Sequence, residues 1–384
     1  MAEDQTSREK GFGWKKTLVY SLLPVVCLLI VLEGAGRVIE IWIPPRQVDL
    51  GQGFSSASTL FVPSASDPDL MVTNPQKEVS FEKQEFRREK PPRSMRIFAL
   101  GGSSVKYLDH EFPLLAQRLQ QKLGNRYDAV QIVNCGGLSY GSHRLVLVAA
   151  EILGYDPDLV LVYSGHNEFE ELEQLKLADL PSLPLQRLLS KSALCRFLRD
   201  RVASYRIGEL QKAHDQRAIA ESIPDAGRTW MHKFTEEEVA ERMHAYRNNL
   251  AVIIQMCLDH DVPVIVGTVP SNLVKPNLPG PDGARYQEVL DLFAQNEYEK
   301  GLELARGILK QAIRHQSSDI ENGALRALAR QYGIPLADVE AAVIAAEPHH
   351  VPGETLFSDH CHLNPEGNKI LAATYEEQIL RLFR

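Results

Sequence analysis

What most constrains this chain is a series of short apolar runs, each cut off by glycine or a small polar residue and each followed by a helical pattern. Met95–Leu100 (MRIFAL) ends at Gly101-Gly102, Ala129–Val133 ends at Asn134, and Leu159–Tyr163 (LVLVY) ends just before Gly165. Val262–Val269 (VPVIVGTV) and the shorter Pro335–Val339 complete the series. Runs of this length, rich in Val, Ile and Leu, read as buried strands. Between them, Pro113–Leu123 places Leu114, Leu115, Leu119 and Leu123 on one helical face, and Gly141–Leu153 reads as a second helix. Glu236–Asp259 repeats Val239, Met243, Tyr246, Leu250, Ile253 and Cys257 at three- and four-residue spacing. Ala324–Tyr332 and Pro365–Phe383 read as further helices. Continuously apolar strands alternating with helices predict an α/β fold, an open parallel sheet covered on both faces. Such sheets bind ligands beyond the carboxyl ends of their strands. Residues that directly follow the apolar runs are therefore the first candidates for chemistry.

Four blocks stand at such places or in a late loop: Gly101-Gly102-Ser103-Ser104, Asn134-Cys135-Gly136-Gly137-Leu138-Ser139, Gly165-His166-Asn167-Glu168 and Asp359-His360-Cys361-His362. Ser103 follows a glycine pair that permits a tight turn and close approach to backbone. A serine hydroxyl attacks only when a neighbouring base takes its proton. His362 is the candidate base. Asp359, three residues earlier, can reach the second ring nitrogen and fix the tautomer. The competing reading makes Asp359 a cap of the final helix. Asn167 offers an amide N–H just past the third run, where it suits a developing oxyanion. His349 and His350 read as an exposed pair, because no third ligand stands at metal-site spacing.

Taken together the blocks resemble the SGNH (GDSL-type) hydrolases, over residues 93–384. That resemblance implies a flavodoxin-like three-layer parallel sheet and a serine esterase or acyl-transfer chemistry, with no metal or organic cofactor. It places the nucleophile at Ser103 and the base and its orienting acid at His362 and Asp359. It places the oxyanion hole at Asn167 and the backbone N–H groups of Ser103 and a block-two residue. Two positions depart from the family pattern: Gly102 replaces an acidic residue, and Ser139 replaces the block-two glycine. The second departure leaves Gly136, Gly137 and Ser139 all open as the block-two donor. The implied function is an esterase or acylhydrolase acting through an acyl-enzyme on Ser103, with acylated glycans or lipids as plausible substrates. An O-acyltransferase would use the same acyl-enzyme. A non-catalytic scaffold is the alternative from a different class.

The N-terminal region sets the location. Thr17–Leu32 (TLVYSLLPVVCLLIVL) is unbroken by charge up to Glu33, and Gly34–Gly36 could extend it to the ~20 residues that span a bilayer. Arg8, Lys10, Lys15 and Lys16 precede it, which puts residues 1–16 in the cytoplasm and the bulk of the chain outside. The expected organisation is a single-pass anchor with its exit at 17–43, a tether at 44–92 marked by seven prolines from Pro44 to Pro92, and the catalytic domain at 93–384. A cleaved signal peptide, cut near Gly34 or Gly36, is the other reading. A buried core helix fits poorly with the basic flank.

Two stretches, 168–235 and 271–323, are too long for simple crossovers and read as helical insertions. Leu185–Tyr205 in the first carries Arg187, Lys191, Arg196, Arg199 and Arg201 around an apolar stripe, and could rest on anionic lipid, cover the site, or be an ordinary solvated face. In the second, Tyr286–Gln311 resembles one tetratricopeptide-type hairpin. A lone unit is too few for a solenoid, so it reads as an inserted hairpin, with partner binding as the scaffold alternative. The formal charge of −8, without a basic stripe in the folded part, argues against nucleic acid. The five scattered cysteines, none in a C-x-x-C, suggest neither zinc nor a disulfide scaffold, with one disulfide left open.

Overall fold

The computed structural model describes residues 14–42, 59–78, 80–169, 189, 191–198, 201, 235–278, 281–312, 316–353 and 355–383. They fall into two units: Met1–Leu50 with Asp179–Ala213, and Gly51–Ala178 with His214–Arg384.

In the larger unit, five parallel strands form one sheet: β4 (Ser94–Gly101), β5 (Ala129–Gly136), β6 (Leu159–Tyr163), β7 (Val264–Gly267) and β8 (Leu336–Ala337), with β1–β3 described below. Their spatial order is β5-β4-β6-β7-β8. Counting only these parallel strands, that is 2-1-3-4-5, the flavodoxin-like order, in which the winding reverses between β4 and β6. The register is in phase at the carboxyl edge: Gly101 of β4 lies beside Gly136 of β5 and Tyr163 of β6. All five residues of β6 are buried, because helices cover both faces. On one side α3 (Glu111–Leu123) packs with α11 (Pro365–Phe383), and α10 (Val339–Ala346) packs with α11; on the other α4 (Ser142–Ile152) packs with α5 (Glu236–Asp259), which also meets α9 (Asp319–Tyr332). Met95, Ile97, Phe98 and Leu100 of β4 are fully covered. Each such side chain contributes roughly 1.5–3 kcal/mol of burial free energy. One facing assignment differs: Leu114 of α3 is exposed, and Phe112 joins Leu115, Leu119 and Leu123 in the core instead.

The expected tether is corrected by the structure. Residues 44–58 lie outside the described residues, but 59–92 are part of the domain. Phe61–Pro63 (β1), Leu70–Thr73 (β2) and Glu85–Arg87 (β3) form an antiparallel sheet, and Phe61, Met71 and Phe86 join the main core. Phe86 meets Phe61 and Phe98 edge-on at 4.9 and 5.5 Å between ring centres. The strands are too short to show periodicity, and each buries one large side chain, so prolines dominated the reading.

Between β7 and β8, the chain forms the short α6 (Pro281–Arg285), then α7 (Gln287–Ala294) and α8 (Tyr298–Gln311). The last two pack as the expected hairpin around a small core of their own: Tyr286, Val289, Ala305, Ile308 and Ala312. The insertion ends earlier than 323, since α9 begins at Asp319 behind a full Ser318/Glu321 capping box. Most of the first insertion, 168–235, lies outside the described residues.

In the smaller unit, α1 (Trp14–Trp42) is one helix through Pro24, and Tyr20–Trp42 is long and apolar enough to cross a membrane, with mean hydropathy 2.2. The helix runs through Glu33 and continues nine residues beyond, to Trp42. All five cysteines are unbonded.

Candidate active site

The site is built where β4, β5 and β6 end. β4 runs into Gly101-Gly102, and Ser103 opens the one-turn helix α2 (Ser103–Lys106). Ser103 is 8% exposed. As the first residue of α2, its N–H is one that the helix does not itself use. The turn fits only because two positions lack side chains. A Cβ at Gly136 would stand 2.1 Å from Lys106 N, so α2 rests directly on the end of β5. A Cβ at Gly102 would stand 2.3 Å from Asn167 Nδ2 and 3.0 Å from Tyr140 O. The departure at position 102 thus has a steric reason: the Asn167 amide occupies the space a side chain would need.

His362 arrives from a loop 259 residues later, and its Nε2 lies 2.7 Å from Ser103 Oγ. Its Nδ1 lies 2.6 Å from Asp359 Oδ2. The other Asp359 oxygen accepts the N–H groups of Cys361 at 2.9 Å and His362 at 2.8 Å. Burial acts to raise the Asp359 pKa, yet the bonds from the His362 ring and from these two N–H groups outweigh it and hold the carboxyl well below the ordinary range. An ionised Asp359 accepts a hydrogen bond from the Nδ1–H of the neutral His362 ring, which leaves the Nε2 lone pair facing the serine hydroxyl. The helix-cap reading of Asp359 fails, since Asn364 caps α11, accepting from Glu366 N at 3.0 Å and Gly367 N at 3.1 Å.

Asn167 is 7% exposed, and its amide donates to Tyr140 O at 3.1 Å. Of the three block-two N–H groups open in the sequence, two are already used. Gly136 N–H donates to Asn134 Oδ1 at 2.9 Å, and Gly137 N–H to Gly101 O at 3.0 Å. Ser139, the third, has φ 59°. A left-handed backbone is what a glycine would adopt without cost, so the family pattern and this departure concern the same turn. Arg144 holds it, donating to Ser139 O and lying 4.3 Å over the Tyr140 ring.

Several supporting groups had no role assigned to them in the sequence. Glu168 is buried beside Arg242, and it accepts the N–H of Ser142 at 2.9 Å and its hydroxyl at 2.7 Å. It thereby ties β6 to α4 and α5. The misread 59–92 segment also reaches the site: Ser80 O accepts Leu138 N–H at 3.0 Å, and Phe81 packs edge-on against Tyr140. Asn272 donates its amide to Asp359 O at 2.8 Å and its N–H to His360 O at 3.1 Å. Tyr107, half-exposed, lies edge-on to His362 at 5.0 Å. Asp359, Cys361 and His362 present ligand atoms within 4.8 Å of one another, but Asp359 and His362 already bond each other. His349 and His350 are exposed, with His349 stacked on Tyr298.

The arrangement provides a hydroxyl, a base aimed at it, an acid that orients the base, and an amide packed against the neighbouring Gly102. No family model matches the chain. No curated protein matches it. Solved structures do. An acetylxylan esterase from Geobacillus stearothermophilus is 13% identical, with TM-score 0.39, over 74% of this chain and 94% of that one. A GDSL-like lipase from Bacteroides thetaiotaomicron is 12% identical, with TM-score 0.37, over 75% and 88%. A member of the lipolytic G-D-S-L family from Veillonella parvula is 13% identical, with TM-score 0.38, over 75% and 99%. These likenesses concern the fold alone.

Proposed function

We propose that this protein is a membrane-anchored serine esterase, with α1 as a single-pass anchor and the catalytic unit on the side away from the basic flank. The relay from Asp359 through His362 to Ser103 is the observation that carries this reading. Ser103 Oγ attacks an ester carbonyl carbon while His362 Nε2 takes the hydroxyl proton. The carbonyl oxygen becomes an oxyanion, held by the Asn167 amide and the N–H groups of Ser103 and Ser139. His362 returns its proton to the departing alkoxide, leaving an acyl group on Ser103. Water, deprotonated by the same ring, then releases the acid. The ionised Asp359 stabilises the imidazolium in both steps.

A fluorophosphonate probe tests the assignment. One adduct is expected on the full chain, lost in Ser103→Ala and retained in Ser104→Ala. Labelling that persists in Ser103→Ala places the nucleophile elsewhere and ends this reading. Turnover of acylated glycans and lipids, read by product mass, shows whether water or a hydroxyl takes the acyl group.

A further inference from the structure

The smaller unit holds a feature that a simple anchor does not need. The C-terminal third of α1 carries Glu33, Arg37 and Glu40 on one face, spaced four and three residues apart. That face is covered by a short helix at 193–198 and the turn before it. Glu33 accepts Ser192 Oγ at 2.6 Å, Ala193 N–H at 3.0 Å and Leu194 N–H at 3.1 Å. Arg196 clasps Glu40 with two bonds, Nε at 2.7 Å and Nη2 at 2.5 Å. Between these polar pairs the helices touch closely: a Cβ on Gly36 would come within 3.2–3.3 Å of Ala193. Ala193 is fully buried.

The outward side of the same segment is apolar and unpartnered among the described residues. Leu189, Phe197 and Leu198 are 43%, 40% and 54% exposed. Lys191 and Arg201 lie exposed beside them, with Arg201 over the Phe197 ring at 5.1 Å. Val38, Ile41 and Trp42 of α1 are also bare. Helix geometry fixes the depth of this patch. Twenty residues from Leu18 reach Arg37, which at ~1.5 Å per residue matches the ~30 Å hydrocarbon thickness. The clasped stretch from Glu33 to Glu40 therefore straddles the boundary where α1 leaves the bilayer.

We propose that Leu189, residues 191–198 and Arg201 form a second membrane contact, clamped to α1 and lying in the exit leaflet with Leu189, Phe197 and Leu198 in the acyl-headgroup boundary. Lys191 and Arg201 then sit among lipid headgroups, as on an interfacial amphipathic helix. The occupant is lipid, because the patch continues the bare apolar surface of α1 at the depth where α1 exits. The clamp also gives Glu40 an arginine partner and adds three donors to Glu33, which Arg37 already pairs within α1. This inference rests on the reading of α1 as a membrane span.

Photo-crosslinking of the full chain in vesicles of phosphatidylcholine and phosphatidylglycerol tests both ideas separately. A benzophenone side chain is placed in turn at position 29 in α1, at 197, and at 114 on the exposed face of α3. Lipid adducts at 29 and 197, and none at 114, are expected. Adducts at 29 but not at 197 overturn the second contact while leaving the span. Adducts at neither 29 nor 197 overturn the span, and the second contact with it. A protein-sized adduct at 197 would make a second copy or another protein the occupant, and also overturns the proposal. Gly36→Leu should abolish the lipid adduct at 197 and keep the one at 29; an unchanged yield at 197 would overturn the clamp.

Discussion

The two halves of the site are held in place by different physics. Ser103 and Asn167 sit at the ends of adjacent strands, nearly buried, and their places follow from sheet register and from contacts too close for a Cβ. Asp359 and His362 sit on a loop, with the Asp359 side chain 45% exposed. That loop follows a turn laced by polar bonds. Buried Glu347 accepts the N–H groups of Gly353, Thr355 and Leu356 and the Thr355 hydroxyl, all between 2.9 and 3.0 Å. Asn272 ties down Asp359 and His360. The strand half should therefore tolerate no added volume, and the loop half no lost hydrogen-bonding group.

The largest effect joins the halves. His362→Ala removes the base and should lower kcat by about 10⁴–10⁶-fold with the fold retained, read by ester turnover and circular dichroism. A drop of tenfold or less would mean that the two halves do not act together. Gly102→Ala probes volume alone. Its methyl must displace the Asn167 amide, so kcat should fall about 10²–10³-fold, the cost of losing one oxyanion donor, with little change in melting temperature. Full activity in Gly102→Ala would remove Asn167 from the oxyanion hole.

Glu347→Gln probes the polar half. It replaces a charged acceptor of four bonds and should cost about 1.5–3 kcal/mol of stability, measured by urea unfolding, along with a fall in kcat as Asp359 loosens. If stability were unchanged, the loop would owe its shape to something else.

His166, on the strand half, supplies a pH signature. Ser317 N–H donates to its Nδ1 at 3.1 Å. Burial, then the nearby His362 and His360, push its pKa well below the ordinary histidine value. The folded value is thus below the unfolded one, so the stability is fully present above pH ~6.5 and is lost as pH falls beneath it. The unfolded chain binds the proton first, and the loss approaches about 1.4 kcal/mol per pH unit. The slope should flatten in His166→Asn. The smallest effect is Ser139→Gly, which relieves the left-handed backbone and should stabilise by about 1 kcal/mol or less with activity kept.

The same contrast explains what was legible beforehand. Strands could be read because apolar runs end abruptly at Gly101 or Asn134, and the relay because Asp359 and His362 stand three apart. The block-two donor could not be read. The N–H groups of Gly136 and Gly137 are used elsewhere, and Gly101 O, which takes one of them, is unknown to the local sequence. The partners of Glu33 could not be read, because they lie about 160 residues away. Segment 59–92 looked like a tether because prolines are visible, whereas one buried aromatic per three-residue strand is not. The start of α9 was readable and missed: Ser318-x-x-Glu321 spells a capping box.

The distance along the chain between nucleophile and base also sets a clock. A ribosome makes Ser103 first and His362 259 residues later. At ~5–20 residues per second, roughly 10–50 s separate them. Through that interval Ser103 is an ordinary alcohol with no base beside it. The hydroxyl becomes reactive only when the last loop and α11 dock, with Glu376 of α11 reaching Arg118 and Lys122 of α3 at 2.6 Å. A growing chain thus carries Ser103 without its partner ring, and C-terminal docking completes the pairing.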